Sequence, residues 1–107
     1  MKSKRSDGES FDFKAGLVIH AAGRVPNIDK LGLDSLKIKL NNRGGIETNK
    51  FLQISNHPNI YALGDVTGKL PFTEIASYEA KIVTHNILEK RRKSVDYTGM
   101  PIGVFTY

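Results

Sequence analysis

The chain of 107 residues contains no cysteine, which removes disulfides, thiolate metal sites and a cysteine nucleophile in one step. It has no apolar run near the roughly 20 residues needed to cross a bilayer. Residues 1–10 are charged and hydrophilic where a secretory signal needs an apolar segment, so the expected location is the cytoplasm, with no membrane partner. Histidine is scarce: His20, His57 and His85 share no metal-ligand spacing with one another or with a carboxylate cluster, and no metal site is expected. Internal repeats and low-complexity segments are absent, which excludes a solenoid.

What remains is ordinary for one small core: 39% of residues are hydrophobic. The net charge is +5, with basic clusters at residues 2–5 and 90–93. One reading is a small basic nucleic-acid-binding module that uses both clusters around four Tyr and five Phe, with affinity falling steeply in salt. The other is a solvated helix end, because Lys90, Arg91, Arg92 and Lys93 follow a helical pattern and cations complement the negative end of a helix dipole. The second is preferred, and no nucleic-acid partner is expected.

Along the chain, Leu17-Val18-Ile19-His20-Ala21-Ala22 is a short apolar run ending at Gly23, and it predicts a buried strand over residues 16–22. Arg24-Val25-Pro26-Asn27 then forms a structured loop, since Pro26 fixes its own φ and pushes Val25 toward extended geometry. Alternation at residues 37–40, a turn-forming Asn41-Asn42-Arg43-Gly44-Gly45 and a resumed extended stretch predict a hairpin or meander over residues 37–54. After a turn at His57-Pro58-Asn59, residues 60–63 predict a strand stopped by Gly64-Asp65. Apolar residues at Ile75, Ala76, Ile82, Val83 and Ile87 predict an amphipathic helix over residues 73–90. Thr73 serves as its cap or first-turn residue, Glu74 and Glu79 bring acid to the early turns, and the basic run closes it. The last residues, 103–107, are strand-like and stop without a terminating signal, so the chain is expected to be a piece of a larger domain.

Three segments in this order resemble the pyridine nucleotide-disulfide oxidoreductase family, whose members include glutathione reductase, dihydrolipoamide dehydrogenase and mercuric reductase. The run from Leu17 through Gly23-Arg24-Val25-Pro26-Asn27 is similar to the family's hydrophobic strand followed by A-x-G-R-x-P-N. Asn59-Ile60-Tyr61-Ala62-Leu63-Gly64-Asp65-Val66 is similar to its I-Y-A-x-G-D-V segment. Met100-Pro101-Ile102-Gly103-Val104-Phe105-Thr106-Tyr107 is similar to the P-x-x-V-F-T start of the interface domain. The likeness extends from about Phe11 to the last residue, with departures at Gly16, where an acidic residue is common, and at Ala80, where glycine is.

The resemblance implies an α/β fold: a fragment of an FAD/NAD(P)-binding doubly wound domain with a β-meander, one long helix and the first strand of the interface domain. Residues 1–24 would end the nicotinamide-binding domain, 25–93 would form the C-terminal part of the FAD-binding domain, and 94–107 would begin the dimerisation domain. It implies an oxidoreductase that passes hydride from NAD(P)H through FAD to a disulfide or related acceptor, in a homodimeric parent. A parent lacking the redox disulfide, such as an NADH oxidase or a ferredoxin-reductase-like flavoprotein, is the runner-up.

On residues alone, Asp65 at the end of a short strand is either a turn residue bonding its own backbone or a ligand for hydroxyls at the mouth of an open sheet. The resemblance implies that it binds the ribityl chain of FAD, with Gly64 letting the cofactor approach the backbone. It implies that Phe72, Thr73 and Glu74 line the flavin at the positive end of the helix. It places Gly23 beside the nicotinamide nucleotide, while Arg24 either meets a cofactor phosphate or pins its loop through a carboxylate. Pro26 and Asn27 are read as turn chemistry. The chain lacks the Gly-x-Gly-x-x-Gly loops, the cysteine pair and the late His-Pro region of the family. It is therefore expected to be inactive alone, with no catalytic residue of its own, and to self-associate through apolar surface left uncovered.

Overall fold

A computed structural model describes residues 2–4, 6–12 and 14–103. Ile28, Ile38, Ile46, Ile54 and Ala62 are buried together, and Leu33, Ile60 and Val66 pack against them. These positions lie on successive turns and short extended segments, so the core closes within residues 28–66. Strand pairing in that region is economical. β3 (Gln53–Ile54) and β4 (His57–Tyr61) run antiparallel, with Gln53 opposite Tyr61, Ile54 opposite His57 and a register shift between them. Single bridges join Leu40 to Ile46 and Thr48 to Ile54. Over residues 37–54 the expected hairpin or meander is reduced to these two bridges, and the strand expected at residues 60–63 is β4, which begins at His57, where a turn was expected, and ends at Tyr61.

Leu52 shows why this part holds together. Its φ of +63° lies in the left-handed region, which costs an L-residue about 1–2 kcal/mol. Asn49 makes the turn by accepting the amides of Phe51 at 2.8 Å and Gln53 at 3.1 Å on Oδ1. The Leu52 amide donates to the Asn49 carbonyl, and the Leu52 carbonyl accepts from Ala62, both at 3.0 Å. The Leu52 side chain is 0% exposed, and burying a leucine contributes about 1.5–3 kcal/mol, enough to offset the strain.

After β4 the chain makes a 3-10 helix at Gly64–Thr67 and then α1 at Thr73–Leu88. α1 follows the predicted apolar spacing, burying Ile75 and Val83. It stops at Leu88 rather than residue 90, because Glu89 adopts extended backbone (φ −106°, ψ 147°). The basic run therefore lies beyond the helix. Its residues are exposed, and Asn86 turns the chain back by pairing with Lys93 in both directions, at 2.8 and 2.7 Å. The Arg92 guanidinium then sits 5.9 Å from the centre of the Phe51 ring.

The buried strand expected over residues 16–22 is not formed. Residues 17–22 carry no strand pairing and are exposed, Leu17 and Ile19 by 77% and 80%. An apolar run becomes a strand only where a neighbouring strand meets its amides and carbonyls, and none among the described residues does so. An unexpected hairpin precedes it: β1 (Lys2–Lys4) pairs antiparallel with β2 (Ser10–Asp12), Lys2 opposite Asp12. The interface strand expected at residues 103–107 lies outside the described residues from 104 onward. The Cα radius of gyration is 18.3 Å, against about 13 Å for a compact domain of this length. No helix among the described residues is long and apolar enough to cross a membrane.

Candidate functional site

The loop after β4 is built around Gly64. Its φ is +70°, and a Cβ there would stand 3.1 Å from the Ala76 Cβ on α1. A side chain is disfavoured twice, by backbone strain and by the approach of the helix. Gly64 thus has a local reason to be glycine, in addition to any closeness to a ligand. The 3-10 turn that follows is held by the buried Thr67, whose Oγ1 donates to the Gly64 carbonyl at 2.8 Å, and by the Gly68 amide on the Asp65 carbonyl at 3.0 Å.

The turn at residues 41–45 braces this loop from the other side, twenty or so residues away in sequence. Asn41 Oδ1 accepts the amides of Arg43 at 2.9 Å and Gly45 at 3.1 Å, while its Nδ2 donates to the Thr67 carbonyl at 2.7 Å. The Ile46 amide donates to the Val66 carbonyl at 2.8 Å. At Gly45 a Cβ would lie 2.2 Å from the Thr67 carbonyl carbon, so only glycine fits between the two segments. Arg43 Nη1 reaches the Lys69 carbonyl at 2.9 Å.

A crevice of about 530 Å³ opens beside the braced loop, bordered by Arg24, Pro26, Asn27, Arg43, Asp65 and Pro71. Two of the predicted site residues, Asp65 and Arg24, meet here although 41 positions separate them (65 − 24). Asp65 is exposed. Pro26 and Asn27, expected to do turn chemistry alone, also form its wall. Arg43 is a further member that the sequence reading treated only as a turn residue. Nothing in its local sequence marks it, because its place depends on the long-range contact between the 41–45 turn and the 3-10 helix.

The remaining predicted residues sit at the margin. Gly23 is exposed with φ +86° and open space around it. Phe72 is half-buried, and Thr73 and Glu74 are exposed at the start of α1. None of these four borders the crevice, which reaches toward the helix through Pro71. Thr73 is the first helical residue rather than the cap. Phe72 takes the cap position, and no side chain there bonds the first-turn amides. Those donors and the positive end of the dipole are therefore left to whatever approaches the helix start. Among the described residues no group of three His, Asp or Glu could hold a metal ion.

One further residue holds the site loop in a way that its helix position does not signal. Glu79, read as an acid of the early helical turns, is 1% exposed. Its Oε2 accepts the Gly64 amide at 2.6 Å and its Oε1 accepts the Tyr97 hydroxyl at 2.5 Å. Burial, then the bond to Glu79 and its charge, holds the Tyr97 phenol well above the ordinary tyrosine range. Its ring meets Tyr78 edge-on at 6.4 Å. At the exposed Asp96, bonds from Thr98 hold the carboxyl below the usual carboxylate range.

The chain is 42% identical over 99 residues to a dihydrolipoyl dehydrogenase of Staphylococcus aureus, covering 92% of this chain and 21% of that enzyme. It is 38% identical over 100 residues to a mercuric reductase of the same organism, covering 94% of this chain and 18% of the enzyme. Among solved structures, the HOCl-induced flavoprotein disulfide reductase of Escherichia coli superposes with a TM-score of 0.63 at 36% identity, over 69% of this chain and 17% of that one. LpdA of Mycobacterium tuberculosis shares the fold with a TM-score of 0.65 over 89% of this chain and 20% of its own. The chain thus spans about a fifth of the length of the relatives it matches. The family profile described as pyridine nucleotide-disulphide oxidoreductase matches residues 1–80. The α/β chain belongs to the pyridine nucleotide-disulphide oxidoreductase family.

Proposed function

We propose that this chain supplies the ribityl-binding part of an FAD site in a flavoprotein that passes hydride from NAD(P)H to a disulfide or related acceptor. Residues 1–24 end the nicotinamide-binding domain, 25–93 complete the FAD-binding domain, and 94–107 begin the interface domain of a cytoplasmic homodimer. The chain alone is inactive. The observation that carries this reading is the crevice in which an exposed Asp65 carboxylate and the guanidinium-bearing Arg24 and Arg43 come together beside a helix start without a side-chain cap.

That donor and acceptor set fits a polyol diphosphate. A carboxylate accepts from ribityl hydroxyls, guanidinium groups donate to phosphate, and the amides of the first turn of α1 favour negative charge at an electron-rich ring edge. Bound FAD supplies the redox chemistry; this chain's residues bind and orient it. Phe72, Thr73 and Glu74 serve as the edge nearest the ring, and Gly23 leaves the backbone open toward a nicotinamide nucleotide. The dihydrolipoyl dehydrogenase and mercuric reductase relatives favour a disulfide-handling parent over one without the redox disulfide.

A hybrid enzyme tests the proposal: this chain replaces the matched 99 residues of the staphylococcal dihydrolipoyl dehydrogenase. FAD uptake and its dissociation constant are then measured for the hybrid and for Asp65→Ala. Loss of charge-assisted hydrogen bonds worth about 1.5–3 kcal/mol each should weaken FAD at least about tenfold. A folded hybrid that takes up no FAD, or an Asp65→Ala hybrid with unchanged affinity, overturns the reading.

A further inference from the structure

A carboxylate buried on the inner side of a helix is costly unless both oxygens are hydrogen-bonded. In Glu79 both are. Oε2 takes the Gly64 amide at 2.6 Å and Oε1 takes the Tyr97 hydroxyl at 2.5 Å. Gly64 is therefore held on both sides, its amide by Glu79 and its carbonyl by the Thr67 hydroxyl. The residue bonded to it next in the chain is Asp65.

The second arm leads elsewhere. Tyr97 belongs to the segment that returns over α1: the Val95 amide donates to the Lys50 carbonyl at 2.9 Å, and the Asp96 amide donates to the Tyr78 hydroxyl at 3.0 Å. One carboxylate thus joins the site loop, the helix and the chain that follows the helix. Neither an apolar side chain nor an amide could replace it without loss. The first would strand the Gly64 amide, and the second would present an NH2 group to one of two donors.

We propose that Glu79 is a positioning residue for the flavin site: its carboxylate fixes the peptide that carries Asp65, and through Tyr97 it makes that placement depend on how residues 94–97 dock on the helix. The inference rests on the flavin reading of the crevice. Glu79 touches no ligand itself; it acts through Gly64 on Asp65.

The test is a double-mutant cycle on FAD affinity in the hybrid holoprotein, with hydrogen exchange of the Gly64 amide followed in the 107-residue chain. Glu79→Gln should raise the FAD dissociation constant about tenfold. In a background already carrying Asp65→Ala, it should change that constant by less than about twofold. Tyr97→Phe, which leaves the Gly64 bond in place, should follow the same pattern at about threefold and should also speed Gly64 exchange. A loss that is equal with and without Asp65 marks a merely structural residue and overturns the inference, as does unchanged Gly64 exchange in both variants. If Glu79→Gln fails to fold, Tyr97→Phe carries the cycle by itself. A folded wild-type hybrid without FAD overturns the flavin reading and this inference with it. A flavin-loaded hybrid whose variants bind as wild type overturns this inference alone.

Discussion

Residues 17–25 are denser in apolar residues than residues 46–62, yet the first stretch is open to solvent while the second buries Ile46, Leu52, Ile54 and Ala62. Leu17, Ile19 and Val25 are 77%, 80% and 88% exposed, while Ile46, Leu52 and Ile54 are between 0% and 4%. Hydrophobic content ranks them the wrong way round. What separates them is the supply of partners. The second stretch has turns within and just before it, Asn49 and Asn41 each accepting two backbone amides, so that its strands meet inside the chain. The first contains only Gly23 and is followed by Pro26, neither of which folds the chain back on itself.

The contrast can be broken most sharply at Leu52. Leu52→Ala should cost about 2–5 kcal/mol by urea denaturation, whereas Ile19→Ala should stay within about 0.5 kcal/mol. Equal losses at both positions would show that residues 17–22 are packed in solution. A smaller effect separates two glycines. Gly45→Ala forces a methyl group against the Thr67 backbone and should destabilise by about 1–3 kcal/mol. Gly23→Ala meets open space and should cost only the left-handed strain of about 1–2 kcal/mol.

Context sharpens the same comparison. In the hybrid enzyme, where the proposed function gives residues 17–22 neighbours, Ile19→Ala should become destabilising by about 2 kcal/mol or more. A substitution as harmless there as in the chain alone would remove the idea that this run is a strand awaiting its sheet.

The weakest effect is alkaline. The Tyr97 phenol is held above its ordinary value by burial and by Glu79, so its contribution is intact below the unfolded value of about 10 and is lost as pH rises beyond it. The stability difference between wild type and Tyr97→Phe should therefore be constant from neutral pH to about pH 9 and change above pH 10. A difference that is flat through pH 11 would mean that the hydroxyl is not bonded to Glu79 in solution.

Legibility from sequence followed the range of the interactions. α1 was readable because its apolar residues recur every three to four positions, and Asp65 with Arg24 because short motifs carry them. The ends of elements were not, since Leu88 and His57 mark boundaries set by backbone geometry rather than residue type. Arg43 and Gly45 were seen as turn residues only. Their second role, bracing the Asp65 loop and bordering the crevice, needs a contact that no local pattern encodes. Glu79 misled for a related reason: an acid in the early part of a helix satisfies the dipole rule, and nothing nearby signals a buried glycine amide and a tyrosine hydroxyl waiting for it.

The sequence by itself determined the helix, the turn at residues 41–45 and the family, because helical periodicity, turn-forming residues and short motifs are written in neighbouring residues. Only the tertiary structure decided which apolar segments are buried, where the crevice lies and which carboxylate holds its loop. Those depend on hydrogen bonds and packing between residues 15 to 40 positions apart, whose partners a linear pattern cannot name.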